Sequence, residues 1–394
     1  MTARFALSSC ATVALLAACG GAQTQPSITT SGAMAQTETA ASSYRSLYSF
    51  GQDVGSFFDG LAPRASLIVV NGTLYGTTVG GGSLQNGGTV FSISTAGEEH
   101  VLHAFSSDSA GKWPYASLID VDGTLYGTTS GSGHYKGGTV FSISAGEVHL
   151  LHSFGSGSDG KWPFGSLIDV NGTLYGTTQG GGTNDDGTVF SITTTGSESV
   201  LYSFAGDTDG NAPFAPLIDV NGTLYGTTEV GGTHGDGTVF SISTTGAEKV
   251  LHSFDGSSDG ENPYAGLVNV DGVLYGTTFQ GGTHGGGTVF GITPAGKEQM
   301  VFSFGPHDGG NPFASLIAVN GTLYGTTYNG GTNGDGTIYS ISTAGKEQVL
   351  HSFTGYPSDG ANPYASLIDV KGTLYGTTSW GGGFKRGTFF ALRP

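Results

Sequence analysis

The chain consists of seven copies of one motif, and their spacing constrains the fold more than any other feature of the sequence. A copy reads Gly-x-Leu-Tyr-Gly-Thr-Thr, then Gly-Thr-Val-Phe-Ser-Ile, then Val-Leu-His-Ser-Phe, with small changes. The opening glycine recurs at Gly72, Gly123, Gly172, Gly222, Gly272, Gly321 and Gly372. A period of about 50 residues with four strand-like runs is typical of one blade of a β-propeller.

The fourth copy shows how one repeat folds. Residues 217–220 and 223–228 read as strands joined by Asn221-Gly222, the strongest signal for a two-residue hairpin. Residues 238–242 and 249–254 read as two more strands joined by a second short turn. Thr, Val, Tyr, Phe and Ile dominate these runs, as β-strands prefer. Each copy therefore predicts a four-stranded antiparallel blade with two tight hairpins at one end and two longer loops at the other.

The two ends of the repeat array predict a closed ring. The last copy stops after its third strand at residues 388–392, and residues 45–50 match the missing fourth strand. An N-terminal strand that completes the last blade removes two exposed sheet edges. We therefore predict an all-β fold, a seven-bladed β-propeller over residues 44–394. The alternative is a right-handed β-helix or a loose β-array.

Charge and composition exclude several classes of function. The formal net charge is −17, with 13 Lys plus Arg, and no basic patch is present. This balance argues against nucleic acid as a partner and against direct binding of anionic lipid. The two cysteines fall at Cys10 and Cys19, so the repeats contain no thiol for a disulfide, a metal site or a nucleophile. We predict no cofactor, no metal and a monomer.

The N-terminal residues predict export and anchoring. Residues 1–18 have the apolar character of a signal peptide, and Leu16-Ala17-Ala18-Cys19 resembles a bacterial lipobox. That resemblance implies a lipid on the Cys19 thiol and an address in the cell envelope, at the outer membrane or the cell surface. Residues 19–43 read as the lipidated cysteine and a flexible polar tether. The alternative is an ordinary signal peptide cut near Ala18 or Ala22.

The repeat as a whole resembles a known family. The run Leu-Tyr-Gly-Thr-Thr, Gly-Gly, Gly-Thr-Val-Phe-Ser-Ile, Gly, Glu, Val-Leu-His-Ser-Phe is similar to the repeat of the GloVer tandem-repeat proteins, over residues 44–394. These are bacterial surface proteins described as using a choice of anchors. The resemblance implies an extracellular location. It implies no catalytic residue and no substrate.

Positions that recur in the copies favour structural roles. The histidine slot holds His103, His152, His252 and His351, but also Tyr48, Tyr202 and Phe302, so it requires a flat ring. The Asp of the Asp-Gly-x-x-Pro segment is expected to cap its own turn, with calcium binding as the alternative. It falls at Asp59, Asp159, Asp209, Asp259, Asp308 and Asp359, and Ala110 replaces it in one copy.

Positions that vary between copies are candidates for a specific site. The variation concentrates in the two longer loops, which also hold all three tryptophans, including Trp113 and Trp162. Exposed aromatic side chains beside hydrogen-bonding groups suit a sugar or a peptide. We predict ligand-binding residues where the seventh and first blades meet, and three more on the fourth and fifth copies. They are Trp380, Phe384, Lys385, Arg386, Phe57 and Phe58, and then Glu229, His234 and His284.

Three functions remain open at this stage. The first is a surface-anchored, non-catalytic module that binds an extracellular glycan or protein, with the lipid as its sole link to a membrane. The second is an extracellular polysaccharide hydrolase or lyase, for which Glu229, His234, Asp236 and His284 are the best acid and base candidates. The third is an envelope component without a specific ligand. A deep pocket lined by Glu229 and His284 would favour the enzyme, and an aromatic face would favour binding.

Overall fold

The computed structural model describes residues 43–53, 55, 58–83, 86–106, 111–144, 146–305 and 307–394. The predictions for residues 1–42, including the lipidation of Cys19, lie outside these residues. Within the described part, the structure is all-β: seven four-stranded antiparallel sheets form the blades of a propeller, as predicted. No helix there has the length and apolarity that a membrane crossing requires.

Strand bounds follow the repeat closely. Blade 1 contains β2 (Ile68–Val70), β3 (Thr73–Thr78), β4 (Thr89–Ile93) and β5 (Glu99–Ala104), and blade 2 contains β6 (Ile119–Val121), β7 (Thr124–Thr129), β8 (Thr139–Ser144) and β9 (Glu147–Ser153). Blade 3 contains β10 (Ile168–Val170), β11 (Thr173–Thr178), β12 (Thr188–Thr193) and β13 (Glu198–Ser203), and blade 4 contains β14 (Ile218–Val220), β15 (Thr223–Thr228), β16 (Thr238–Ser243) and β17 (Glu248–Ser253).

The remaining blades repeat the pattern until the last. Blade 5 contains β18 (Val268–Val270), β19 (Val273–Thr278), β20 (Thr288–Ile292) and β21 (Glu298–Ser303), and blade 6 contains β22 (Ile317–Val319), β23 (Thr322–Thr327), β24 (Thr337–Ser342) and β25 (Glu347–Ser352). Blade 7 contains β27 (Ile368–Val370), β28 (Thr373–Thr378), β30 (Thr388–Arg393) and β1 (Ser43–Ser49), and a small ribbon pairs β26 (Gly360–Ala361) with β29 (Trp380–Gly381).

The first strand of the chain closes the ring, as the sequence predicted. β1 is the outer strand of blade 7 and pairs antiparallel with β30, from Ser43 opposite Arg393 to Ser49 opposite Thr388. The pairing begins at Ser43, two residues before the predicted match that starts at Arg45. A bulge between Ser46 and Tyr48 repeats the bulge that the outer strands of the other six blades carry.

Aromatic contacts between blades explain two parts of the motif. The phenylalanine after each outer strand packs edge-on against an aromatic ring in the third strand of the next blade. The pairs are Phe50–Phe91, Phe105–Phe141, Phe154–Phe190, Phe204–Phe240, Phe254–Phe290, Phe304–Tyr339 and Phe353–Phe390, with centroids 4.9–5.4 Å apart. These rings are fully buried and dominate the core between neighbouring sheets.

One glycine of the motif is fixed by the same packing. A Cβ on Gly226 would lie 2.6 Å from the tip of the Phe240 ring and 2.8 Å from Leu217. The second strand therefore has room only for glycine where the phenyl ring crosses it.

Candidate functional site

The longer loops emerge on one face of the ring, which we call the loop face. In each blade the tight hairpins, such as Asn221-Gly222, lie at the opposite end of the strands. Asn221 has a φ of 55° and Gly222 a φ of 82°, as a hairpin turn of this kind needs. Three of the acids that precede these turns, Asp169, Asp219 and Asp369, accept the turn glycine's N–H at 3.0 Å. These carboxylates thus stabilise the hairpin turns by accepting hydrogen bonds.

The centre of the propeller is filled by a ring of side chains from all seven blades, which we call the central ring. The residue after the proline of each Asp-Gly-x-x-Pro segment supplies it. The members are Arg64, Tyr115, Phe164, Phe214, Tyr264, Phe313 and Tyr364. Neighbouring aromatic members lie 3.8–5.5 Å apart between centroids. The sequence carried this signal, an aromatic residue after proline in six of seven copies, and our interpretation missed it.

Arg64 is the one member of the central ring without an aromatic side chain. Its guanidinium lies 5.3 Å from the centroid of Tyr115 and 5.1 Å from that of Tyr364. Arg64 Nη1 also donates to the Tyr115 hydroxyl at 3.4 Å. A guanidinium between two ring faces completes the central ring by cation–π contacts, and it places a positive charge beside the loops of blade 2.

Two tryptophans occupy a position whose backbone conformation is unfavourable for large side chains. The residue before each proline of these segments has a positive φ in all seven copies: Ala62, Trp113, Trp162, Ala212, Asn262, Asn311 and Asn362. Asn tolerates this left-handed region, whereas a bulky side chain is strained there. Asn262 also donates its side-chain amide to the Glu229 carbonyl at 3.2 Å. Trp113, with a φ of 59°, and Trp162, with a φ of 60°, therefore depart from the structurally favoured residue.

Each of these two indoles lies flat over a glycine. A Cβ on Gly131 would come within 2.5 Å of the Trp113 ring, and a Cβ on Gly180 within 3.0 Å of the Trp162 ring. In the three blades with Asn in the tryptophan slot, the glycine position is occupied by Gln280, Asn329 or Trp380. One indole face is thus supported by backbone, while the side chains of Trp113 and Trp162 stay 46% and 44% exposed.

The two indoles line a cavity on the loop face with a volume of about 620 Å³. We call it the tryptophan cavity. Its wall also includes Tyr115 and Phe164 of the central ring, the Gln179 amide, Ser130, Ser132, and the side chains of Lys112 and Lys136. An apolar cavity of this size with a few polar groups is the usual form of a small-ligand site.

Glu229 connects the tryptophan cavity to the centre of the face. Its carboxylate accepts the Tyr264 hydroxyl at 2.6 Å and the Gln179 amide at 3.2 Å. Burial, and then the hydrogen bond to Glu229, raise the pKa of Tyr264. Of the predicted candidates, Glu229 is the one joined to a residue of the cavity wall.

The other predicted residues stand elsewhere on the face. His284 contacts the Ser303 carbonyl at 3.1 Å, near the outer strand of its blade, so it has different partners from Glu229. His234 lies near Asp255, which is also outside the cavity wall. Among the described residues, the structure thus does not gather Glu229, His234 and His284 around one cavity.

The predicted residues where blades 7 and 1 meet form an exposed surface. Trp380, Phe384 and Phe58 are about half exposed. Lys385 lies 4.4 Å from the centroid of Tyr356, and the Arg386 side chain packs against Gly51. Phe57 lies outside the described residues. These side chains stay candidates for ligand binding.

Most boundaries between blades contain a cluster of titratable side chains that the sequence did not predict. The histidine or tyrosine of the outer strand bonds the loop Asp of the same copy, as in His252 Nε2–Asp259 Oδ2 at 2.7 Å. Asp259 also caps its turn, accepting the Asp255 N–H at 2.9 Å, as predicted. A glutamate from the next blade, here Glu298, approaches the same Asp. We call such a trio a seam cluster.

The glutamates of the seam clusters are held in an unfavourable environment for charge. Burial, and then the charge of Asp59, raise the pKa of Glu99 to about 8. Burial, with neighbouring Asp side chains adding to it, raises the pKa to about 7 in the glutamates of four further clusters: Glu198, Glu248, Glu298 and Glu347. The Oε1 atom of all five is buried without a hydrogen-bond partner in the described structure.

The boundary between blades 1 and 2 lacks both acids. Ala110 stands at the Asp position of the sequence, and Val148 takes the place of the glutamate and packs into the apolar core. His103 is left there with buried Nε2 and no partner among the described residues, and burial lowers its pKa. The boundary between blades 6 and 7 keeps Asp359, and Tyr44 of β1 stands there at the glutamate position and approaches that Asp.

One seam cluster has the composition of a metal site. Ligand atoms of His252, Asp259 and Glu298 all lie within 4.8 Å of one another. The equivalent ring positions hold Tyr202 and Phe302 in other clusters, and a phenyl ring offers no metal ligand. The cluster is therefore explained by blade packing and hydrogen bonding.

Comparison with solved structures gives low similarity. A proposed gluconolactonase is 12% identical with a TM-score of 0.47, over 90% of this chain and 92% of that one. A 6-phosphogluconolactonase proposed in Bacteroides uniformis is 13% identical with a TM-score of 0.47, over 73% and 84%. A puromycin-hydrolyzing peptidase of Mycobacterium tuberculosis is 10% identical with a TM-score of 0.43, over 85% and 62%. Such similarity bears on neither activity nor substrate.

No functionally curated protein matches the chain. The repeats, in contrast, match a family description along nearly the whole chain, over residues 19–185 and 171–390. The resemblance drawn from the motif is confirmed by this match. The chain belongs to the Gloeobacter/Verrucomicrobia repeat family.

Proposed function

We propose that the protein is a non-catalytic binding module whose loop face takes a saccharide at the tryptophan cavity. The observation that carries this proposal is the arrangement of Trp113 and Trp162: two indoles supported on one face by glycine and open on the other. Aromatic planes of this kind contact the apolar faces of sugar rings, while hydroxyl and amide groups nearby can bond to sugar hydroxyls.

The backbone of the two tryptophans supports the same conclusion. A strained conformation of a large side chain on an exposed loop costs of order 1–3 kcal/mol, and such strain concentrates at functional sites. Three other copies hold Asn, which tolerates this backbone region, in the same slot. The size of the site favours a glycan over a protein partner, because a cavity of about 620 Å³ suits a few sugar rings whereas protein interfaces spread over about 800 Å² per partner.

The test is a saccharide-binding screen of the full chain with a matched set of variants. Trp113→Asn and Trp162→Asn introduce the residue that three other copies carry in this slot, so the fold should be kept. We expect the double variant to lose at least tenfold in affinity, since aromatic anchors often contribute about 2 kcal/mol or more. Trp380→Asn, which copies Asn329, is the control and should bind as the parent does. A loss confined to the control would move the site to the boundary of blades 7 and 1, the location predicted from sequence.

The second candidate is a polysaccharide-acting enzyme. The hydrogen bond from Gln179 to Glu229 is the observation that favours it, since it links an acid to the cavity wall. Hydrolysis through two carboxyl groups needs a second acid roughly 5–10 Å away, and the described wall of the cavity contributes neither Asp nor Glu. Incubation of each bound saccharide with the protein, followed by measurement of new reducing ends, tests this candidate. Turnover that is lost in Glu229→Gln would replace the binding module with an enzyme.

We also propose that the module acts in the cell envelope, held by a lipid on Cys19. The support is the sequence Leu16-Ala17-Ala18-Cys19 followed by a polar tether. A lipid anchor would place the loop face where extracellular polysaccharide is present.

A further inference from the structure

The wall of the tryptophan cavity carries positive charge, whereas the chain as a whole is acidic. The protein has 30 acidic and 13 basic residues. The described wall of the cavity nonetheless contains two lysines, Lys112 and Lys136, with neither Asp nor Glu beside them. Neither lysine forms an ion pair with an acidic residue in the part of the chain that the structure describes. An acidic protein that presents two cations in one cavity attracts anions there against its overall field.

Both lysines belong to loops that line the tryptophan cavity. Lys112 precedes Trp113 and bonds Gly131 through its backbone, with N–H to carbonyl distances of 2.8 and 3.0 Å. Lys136 belongs to the loop between β7 and β8 of the same blade and has a φ of 64°. Both residues line the same cavity as the indole that would carry the ligand.

In blade 3 the lysine at the corresponding position is neutralised by an acid. Lys161 occupies the slot of Lys112, but its Nζ lies 3.0 Å from the Asp185 carboxylate. Asp185 in turn occupies the slot of Lys136. Blade 3 thus has a lysine with an acid in the two positions where blade 2 has two lysines. Among the described residues, blade 2 therefore differs from blade 3 in having no acid at these two positions.

Arg64 adds a third positive charge next to the site. Its guanidinium packs over Tyr115, whose ring is shared between the central ring and the wall of the tryptophan cavity. The positive field therefore extends from the rim of the cavity to its inner end.

From these contacts we infer that the ligand is an acidic polysaccharide, in which carboxylate or sulfate groups bind Lys112 and Lys136 while the sugar rings lie on Trp113 and Trp162. This inference rests on the proposed function and names its ligand class. Lysine binds both carboxylates and sulfates as a compact point charge, so the shared chemistry is an anionic sugar.

The variants that test it come from the repeats themselves. Lys112→Asn copies Asn211, and Lys136→Asn copies Asn86, which has a φ of 54°. The control double variant, Lys249→Gln with Lys346→Ala, copies Gln299 and Ala247 and removes the same charge from exposed sites on blades 4 and 6. The probes are polygalacturonate, dextran sulfate, neutral dextran and polyglutamate, each titrated at low and at physiological salt.

We expect the two acidic polysaccharides, or one of them, to bind at least tenfold more tightly than dextran, with an affinity that falls as salt rises. Lys112→Asn with Lys136→Asn should remove most of that preference and of the salt dependence, and the control should keep both. Whichever acidic polysaccharide binds identifies carboxylate or sulfate as the group.

Other outcomes separate this inference from the proposed function. Equal binding of dextran and the acidic polymers, unchanged in the lysine variant but weakened in the tryptophan variant, would overturn the acidic ligand and leave a saccharide site. Binding of polyglutamate as tight as that of the polysaccharides would overturn it as well, since charge alone would then suffice. Binding that neither variant pair affects would reject the cavity and with it the proposed function.

Discussion

The indole of Trp113 covers the backbone of Gly131 so closely that a Cβ on the glycine would lie 2.5 Å from the ring. The two residues belong to different loops of the region that forms blade 2, and a pair of backbone hydrogen bonds between Lys112 and Gly131 fixes them. A large residue in one slot thus goes with glycine in the other, and the copies with Asn in the first slot have Gln, Asn or Trp in the second.

This relationship predicts a strong coupling between the two positions. Gly131→Ala should destabilise the protein by roughly 1–2 kcal/mol, because the indole must leave its place. In Trp113→Asn the same change should cost almost nothing. Urea denaturation of the four members of the cycle measures the coupling, which should reach about 1 kcal/mol or more. Effects that add within about 0.5 kcal/mol would show that the indole does not rest on the glycine.

The seam clusters predict that the folded protein is more stable at mildly acidic than at alkaline pH. Glutamates ionise near 4.5 in the unfolded chain but near 7 in four clusters and near 8 at Glu99. Their contribution to stability is complete below about pH 4.5 and is lost as the pH rises through 7 and 8. His103, with a lowered pKa, opposes this weakly below pH 6.5. The melting temperature should therefore fall between pH 5 and pH 8.5.

A single isosteric change isolates the effect. Glu298→Gln keeps the shape of the protonated side chain but cannot ionise beside Asp259 and Asp255. At pH 8.5 it should melt about 1–3 °C above the parent, and at pH 5 it should match the parent. Calorimetry at the two pH values is the measurement. A variant that is less stable at both would mean that the glutamate works as an anion.

Ring closure by β1 predicts a large cost for N-terminal truncation. A chain that begins at Gly55 lacks β1 and the fully buried Phe50, whose ring packs against Phe91. It also lacks Tyr44, which stacks on His351 with centroids 3.6 Å apart. We expect a melting temperature lower by at least 10 °C, or failure to fold. A chain that begins at Ser43 is the control and should melt as the full chain does. Equal stability of both truncated chains would contradict closure by this strand.

The strands, the number of blades and their closure could be predicted from the sequence because each rests on a local signal repeated in every copy. The Asn221-Gly222 turn and the match of residues 45–50 to the other outer strands are such signals. The seam clusters could not be predicted in the same way, because a cluster draws its third member from the next blade. One sequence feature did point to these clusters: both acids are missing at Ala110 and Val148. These two positions are far apart in the chain, so their relationship is recognised only when neighbouring blades are compared in the structure.

The candidate site, like the fold, could be predicted from the sequence only in part. The loop face and its tryptophans were predictable from variation between copies. The position of the cavity was not, because it depends on φ at Trp113 and on the missing side chain at Gly131, and neither departs visibly from loop composition. The departure at Trp380 and Phe384 is more conspicuous in the sequence, but their surroundings form a surface, whereas the tryptophan cavity lies on blades 2 and 3.

The proposed anchor predicts a change in location on replacement of one atom. Cys19→Ala removes the thiol that would receive the lipid, so the protein should move from the membrane fraction to the soluble fraction of the envelope. Fractionation with a salt wash separates lipid anchoring from adsorption. Ser8→Ala, within the signal region but outside the lipobox, is the control. A variant that stays bound to membranes after the wash would rule out Cys19 as the anchor.

Closure of the ring by its first strand has a consequence for the order in which the protein assembles. Blades 1 to 6 each pair strands from one contiguous stretch of the chain, whereas Ser43 opposite Arg393 joins positions about 350 residues apart. Contacts of such sequence separation form late, because loop closure must come before they gain any stability. A chain delivered N-terminus first must therefore keep β1 unpaired until β30 is available, so that the pairing of the first blade strand with the last completes the ring.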